Sequence, residues 1–207
     1  MALTFPLSLP KFFGTLAVVQ ASFHLPGAVH HSRTARGQIQ RTGFASRLWE
    51  GTVTVHPRRH AVAVEYEAKA HLLLEADGSF LVTPLHHRGT GIPNAKVEQI
   101  ENSREISFSG LPPDFVIPAS SFFSIRAGSG GARHMHQTLE AATASATGVT
   151  PLVTALCAFE PDEMVGDTVV FADPVIEAIV KPDTLRPYTH LQTQSEGLAF
   201  DWIQTYR

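Results

Sequence analysis

Three side chains of this 207-residue sequence have the types and spacing to do chemistry together: His134, His136 and Glu140. They lie in the stretch from Gly128 to Pro174, the histidines two apart and the glutamate four further on. In an extended chain alternate residues project from one face, so the run predicts two imidazoles and a carboxylate side by side. Two neutral imidazoles with a carboxylate make a nitrogen and oxygen shell for one divalent ion. The doublets His30-His31 and His86-His87 cannot chelate one ion from a regular strand, because adjacent residues face opposite sides, and they are expected in loops or at a rim. A His-x-His pair also arises without purpose in a chain with eleven histidines. The competing expectation is therefore two ordinary histidines on a half-exposed strand.

Gly128, His134, His136 and Glu140 resemble the first metal motif of the cupin family: a glycine, five residues, His-x-His, and a glutamate after a short gap. That resemblance implies a second motif with a Pro-x-Gly turn and a third histidine. The corresponding place, Pro174-Val175-Ile176-Glu177-Ala178-Ile179, has neither the glycine nor the histidine. His190, the only later histidine, lies beyond Lys181-Pro182-Asp183 in a stretch that reads as loop. A cupin-like metal-dependent enzyme or binding module using His134, His136 and Glu140 is thus the alternative reading, and no catalytic, cofactor-binding or metal residue is assigned.

Other constellations are incomplete. There is no Gly-x-Ser-x-Gly elbow. Cys157 falls in an apolar run that disfavours a thiolate, and is expected to be a small apolar filler. Glu160, Asp162, Glu163 and Asp167 surround Pro161 and Gly166 and read as a solvated loop. Gly128, Gly130 and Gly131 read as a hairpin turn, since no helix and no Gly-Lys-Ser pattern follows. For a carbohydrate-binding surface the stacking candidates are Trp49, Trp202 and Tyr206, with Trp49 expected to be buried.

The elements that must position these residues are mostly strands. Hydrophobic residues make up 43% of the chain, enough for one large domain or two small ones. A lone Cys157 allows no intramolecular disulfide. A net charge of −3 and a pI of about 6.4 leave no electrostatic footprint for nucleic acid. Charged residues are only 17%, against about 25% in an average chain, which suits a subunit covered by neighbours. The apolar run from Phe12 to Val19 follows Pro6, Pro10 and a late Lys11, so a signal peptide is not favoured, and no run approaches the roughly 20 residues that span a bilayer. A soluble protein without a membrane partner is expected.

Period-two patterns predict strands at 12–25, 37–42, 48–55 and 79–83, and one helix from about 57 to 76, with Pro57 at its first turn and Asp77-Gly78 as its stop. After a His-, Gly- and Pro-rich loop at 84–94, short strands follow at 97–100, 105–109, 115–117, 122–127, 133–144, 149–157 and 168–171. Strands at 175–180 and 198–204 close the chain. The expected fold is mainly β with one α-helix, a β-sandwich or barrel-type subunit with a second small β-rich half. The domains are read as 1–95, completed by 183–207, and 96–182.

Four stretches, in order and covering most of the chain, resemble a family of distal tail proteins from siphophages and prophages of alphaproteobacteria. They are MALTFPLSLPKFFGTL; RLWEGTVTVHPRRHAVAVEYEAKAHLLLEADGSFLV; ISFSGLPPDFVIPASSFFSI; and Gly128 to Pro174 with its close at GLAFDWIQ. The resemblance implies a structural virion protein, not an enzyme, assembled in the host cytoplasm and located at the tail tip or baseplate. It implies a homo-oligomeric, hexameric ring joining the tail tube protein to the hub or tail-tip protein. No cofactor and no recognition of nucleic-acid sequence are expected.

Overall fold

The computed structural model describes residues 4–27, 29–33, 37–43, 47–87, 91–128 and 131–206. After two 3-10 turns at Leu9–Lys11 and Phe13–Thr15, the chain forms β1 (Val18–Ala21), the hairpin of β2 (Val29–Arg33) and β3 (Ile39–Gly43), and β4 (Glu50–Val55). Helix α1 (His60–Leu72) and β5 (Phe80–Val82) follow. The middle of the chain supplies β6 (Ala95–Glu101), β7 (Glu105–Ser109), β8 (Val116–Ile117), β9 (Phe122–Arg126), β10 (Arg133–Gln137), β11 (Ala142–Thr143), β12 (Val153–Thr154) and β13 (Thr168–Val170). It ends with β14 (Ile176–Val180), β15 (Thr189–His190), β16 (Ser195–Glu196) and β17 (Ala199–Gln204).

The fold is mainly β with a single α-helix and curled sheets. A five-stranded antiparallel sheet in the order β1-β4-β17-β14-β5 builds the first lobe. A six-stranded antiparallel sheet in the order β10-β9-β13-β6-β7-β12 builds the second. The chain returns to the first sheet at Ile176, ahead of the 183 expected from sequence. Ile176, Ala178 and Val180 alternate inward with partly exposed Glu177 and Ile179, and that face fits the core of the first lobe. Ile92 and Ala95, expected in the first domain, pack in the core of the second lobe. The second sheet curls until its ends meet, where Leu139 N donates to Thr154 O and Leu156 N to Gln137 O, both at 2.9 Å.

The helix is shorter than 57–76. Arg58 leaves helical geometry to exchange backbone hydrogen bonds with Ser195, at 2.8 and 2.7 Å, so Pro57 does not start the helix and Arg59 is its N-cap. Its inward stripe is narrow, Ala63, Tyr66 and Ala70, with Leu73 just beyond its end.

Strands β9 and β10 separate the two cores. Phe122 and Met135 enter the first, while Phe123 and Ile125 enter the second. The Trp49 indole N–H donates to Met135 O at 2.7 Å and ties β4's entry to this wall. Trp49 and Trp202 are both core residues, so neither offers a sugar-stacking surface; Tyr206 is partly exposed. Among the described residues no helix is long and apolar enough to cross a membrane.

Candidate functional site

On β10, His134 and His136 stand opposite Ile125 and Phe123, and strand alternation points both rings into the second core. The sequence pattern has the pair right and its exposure wrong: each histidine is only 2% exposed. Glu140 is not beside them. The strand ends at Gln137 and the chain bends to bridge Thr138 to Ala155. That bend breaks the period of two and leaves Glu140 exposed, accepting hydrogen bonds from Thr154 N at 3.1 Å and Thr154 Oγ1 at 3.0 Å.

Two other carboxylates take its place, from the segment expected to be a solvated loop. Asp162 Oδ2 lies 3.1 Å from His134 Nε2, and Glu163 Oε1 lies 2.7 Å from His136 Nε2. Cys157 Sγ is 3.2 Å from His136 Nδ1 and 3.5 Å from Met135 O. Phe123 stacks on the His136 ring at 5.4 Å, and Phe159 covers it at 4.6 Å. The other Glu163 oxygen accepts the Glu160 N–H at 2.5 Å, while Asp167 accepts from Met164 N and Gly128 N. Tyr206 packs on His134 at 4.7 Å, and burial pushes its phenol pKa up.

Cys157, His136 and Glu163 form a thiol, imidazole and carboxylate chain, the order in which a cysteine nucleophile is activated by a base and its orienting acid. Here the chain is sealed. The Glu163 side chain is 0% exposed, and Cys157 is 7% exposed. The grooves along β1, beside the end of α1, and between His86 and Gln137 are lined by other residues. As placed, the three groups fasten the 156–167 segment across β10. Among the described residues no three histidine, cysteine or acidic side chains are placed to hold a metal ion. His190 is elsewhere, bonded to Ser195, and His86 and His87 pack around Phe122 at the start of the interlobe loop. His30 and His31 are consecutive residues of β2.

No family model and no curated protein matches this chain.

Burial works against a charged His136, yet Cys157 and Glu163 together raise its pKa from 6.5 to about 10. The ring therefore holds its proton in the fold at neutral pH, whereas the unfolded chain releases it near 6.5. The stabilisation is complete below pH 6.5 and is lost as pH rises through about 10. Urea titrations are expected to show stability falling across that window by on the order of 1 kcal/mol per pH unit. His136→Gln should flatten this slope, and a slope unchanged by the substitution would exclude His136 as its source.

The sequence signals for Cys157, Asp162 and Glu163 are weak but present. All three follow β12 within ten residues, close enough in sequence for one loop to deliver them to one place. Which face of β10 they would meet is fixed only by the curl of the sheet.

Proposed function

We propose that the chain is a structural subunit of a phage tail, forming a hexameric ring between the end of the tail tube and the baseplate hub or tip. The resemblance of four ordered stretches supports this reading. The observation that carries it is the β2–β3 hairpin, whose strands hydrogen-bond to each other and to no other strand among the described residues. A two-stranded ribbon by itself is marginally stable in water. On its second strand Ile39 is 66% exposed. Strand β1 is also uncovered: it ends the first sheet, and Val19, Gln20 and Ala21 are exposed. The opposite edge, β5, is covered by Leu7, which bonds to Ser79 and Leu81.

An open edge and an unsupported ribbon are liabilities in a monomer. Both are resolved when a neighbouring copy covers them through a head-to-tail contact, which closes into a ring if the rotation allows. The low proportion of charged residues agrees, since interface cores are depleted in charge.

Light scattering at rising concentration, with negative-stain imaging, is expected to give one closed species near six times the 22.5 kDa subunit, stacked on tail-tube protein when that is added. Replacing residues 29–43 with a short Gly-Ser turn should leave the β-sheet circular dichroism intact and the protein monomeric. A wild-type chain that stays monomeric at every concentration, with tail-tube protein present, would sink the reading.

A further inference from the structure

Charge is divided unevenly along this chain. Residues 1–49 hold Lys11, Arg33, Arg36, Arg41 and Arg47 and no aspartate or glutamate, whereas all nineteen acidic residues follow from Glu50 onward. The four arginines fall in and beside the β2–β3 ribbon. Arg47 is committed within its own copy, donating to Pro26 O at 2.8 Å and to Leu25 O at 2.6 Å. Arg33 is exposed, and among the described residues it forms no ion pair. In the register of the ribbon it stands opposite Ile39. Directly opposed residues of an antiparallel pair share a face, so a free guanidinium lies beside a 66%-exposed isoleucine. That face suits an apolar surface that also carries negative charge.

Such a surface lies in the same lobe. Beside the end of α1, Leu73, Leu74, Ile179 and Val180 line a groove together with Glu75 and Asp183, and no lysine, arginine or histidine lines it. Leu74 is 44% exposed there. Both carboxylates are exposed, and among the described residues neither has an ion-pair partner. Lys69 and Lys181, the lysines nearest in sequence, are taken, the first by Glu65 at 2.7 Å and the second by Glu50. The C-terminal end of α1 adds partial negative charge at the same place, which favours a cation. The grooves along β1 and between His86 and Gln137 are lined without a carboxylate, so they lack this match.

The two surfaces sit at different ends of one sheet. The ribbon springs from between β1 and β4, and the groove borders β14 and the approach to β5, at the other end of the strand order. With Ile39 exposed, the ribbon does not fill the groove of its own copy. Unlike surfaces on one subunit pair head to tail between copies, and that contact closes into a ring when the rotation allows. A guanidinium meeting a carboxylate also adds a charge-assisted hydrogen bond.

We infer that the β2–β3 ribbon of each copy docks in the groove beside α1 of a second copy, with Ile39 on its apolar residues and Arg33 paired with Glu75 and Asp183. This rests on the ring reading and names the two surfaces that make the contact.

Sedimentation velocity of the full chain across a range of concentrations tests the contact. The proteins are wild type, Arg33→Glu, Ile39→Asp, the groove pair Glu75→Arg with Asp183→Arg, and the combination of Arg33→Glu with that pair. All four positions are exposed, so the circular dichroism of every variant is expected to match wild type. Arg33→Glu, Ile39→Asp and the groove pair should each raise the concentration for half-assembly by about tenfold or more, because each opposes like charges or sets a carboxylate against apolar residues. The combination reverses both signs together and should recover assembly to within about threefold of wild type. Assembly that survives every substitution, or a combination no better than its parts, overturns the inference and leaves the ring reading standing. A wild type that is monomeric at every concentration overturns both. If the groove pair abolishes binding of tail-tube protein without weakening self-association, the groove serves another protein and the inference fails.

Discussion

Glu163→Ala is expected to remove about 3–5 kcal/mol of folding stability, a large share of the roughly 5–15 kcal/mol available to a domain. The carboxylate faces His136 at 2.7 Å with its side chain wholly buried, so its loss leaves a charged ring sealed beneath Phe159 and Phe123. The penalty is that of an uncompensated buried charge, not merely of one hydrogen bond. Two comparisons make the expectation specific. Replacing both partners, His136→Leu with Glu163→Leu, removes the charge together with its counter-charge and should cost much less than the single change. Asp162→Ala breaks the neighbouring pair, but its carboxylate is 53% exposed, and about 1 kcal/mol or less is expected there. Urea denaturation of wild type, His136→Leu, Glu163→Leu and the double variant closes a double-mutant cycle that reads the coupling directly. A Glu163→Ala loss no larger than the Asp162→Ala loss would contradict a sealed ion pair.

Gly51→Ala is expected to destabilise the first lobe by about 3 kcal/mol or more, with loss of soluble protein as the readout. A Cβ at this buried position in β4 falls 2.0 Å from Ser22 O and 2.8 Å from Trp202 Cζ2. Neither obstacle is the free end of a flexible side chain. Ser22 is held by its N–H to Thr52 O at 3.0 Å, and its hydroxyl accepts Thr52 N–H at 2.9 Å. Trp202 is 1% exposed and packs against Phe23 at 4.9 Å. Accommodation requires β1 and β4 to separate, which exposes the sheet at its open edge. The same substitution at Gly27, whose Cβ would meet nothing within 4 Å, supplies the control and should change little.

Much of the strand framework was legible because it depends on local alternation. Ala199–Gln204 and Ile176–Val180 alternate partly exposed and buried residues along their length, and both were found within a residue or two. The long strands expected at 133–144 and 149–157 were not, because each bends where the curled sheet closes on itself around Thr138 and Ala155. That closure is a long-range property with no local sequence signature. The candidate site failed at the same place. His134 and His136 share a face as their spacing requires, but extending the period to Glu140 assumed a straight strand. Glu163 and Cys157 were assigned by residue type, an acid to solvent and a thiol to apolar filling, whereas in the fold each neighbours the same imidazole. Pro57 misled for a similar reason. It suits a helix start, yet Arg58 has a strand partner at Ser195, distant in sequence, and that pairing prevails.

The pairing of β5 with β14, Val82 opposite Ile176, bears on how the chain can assemble. These neighbours in one sheet are separated by roughly ninety residues, and joining their ends while the intervening chain is unstructured carries the loop-closure entropy of that whole length. The second lobe is the content of that loop. Once it has condensed, its two ends are already close, and the first sheet closes over a short effective span. Non-local sheets form slowly because such closures precede their reward. The expected order is therefore second lobe first, its Phe122 and Met135 then offering a surface on which the first lobe's core completes, and pulse-labelled hydrogen exchange showing β4 and β17 protected before β6 and β7 would reverse it.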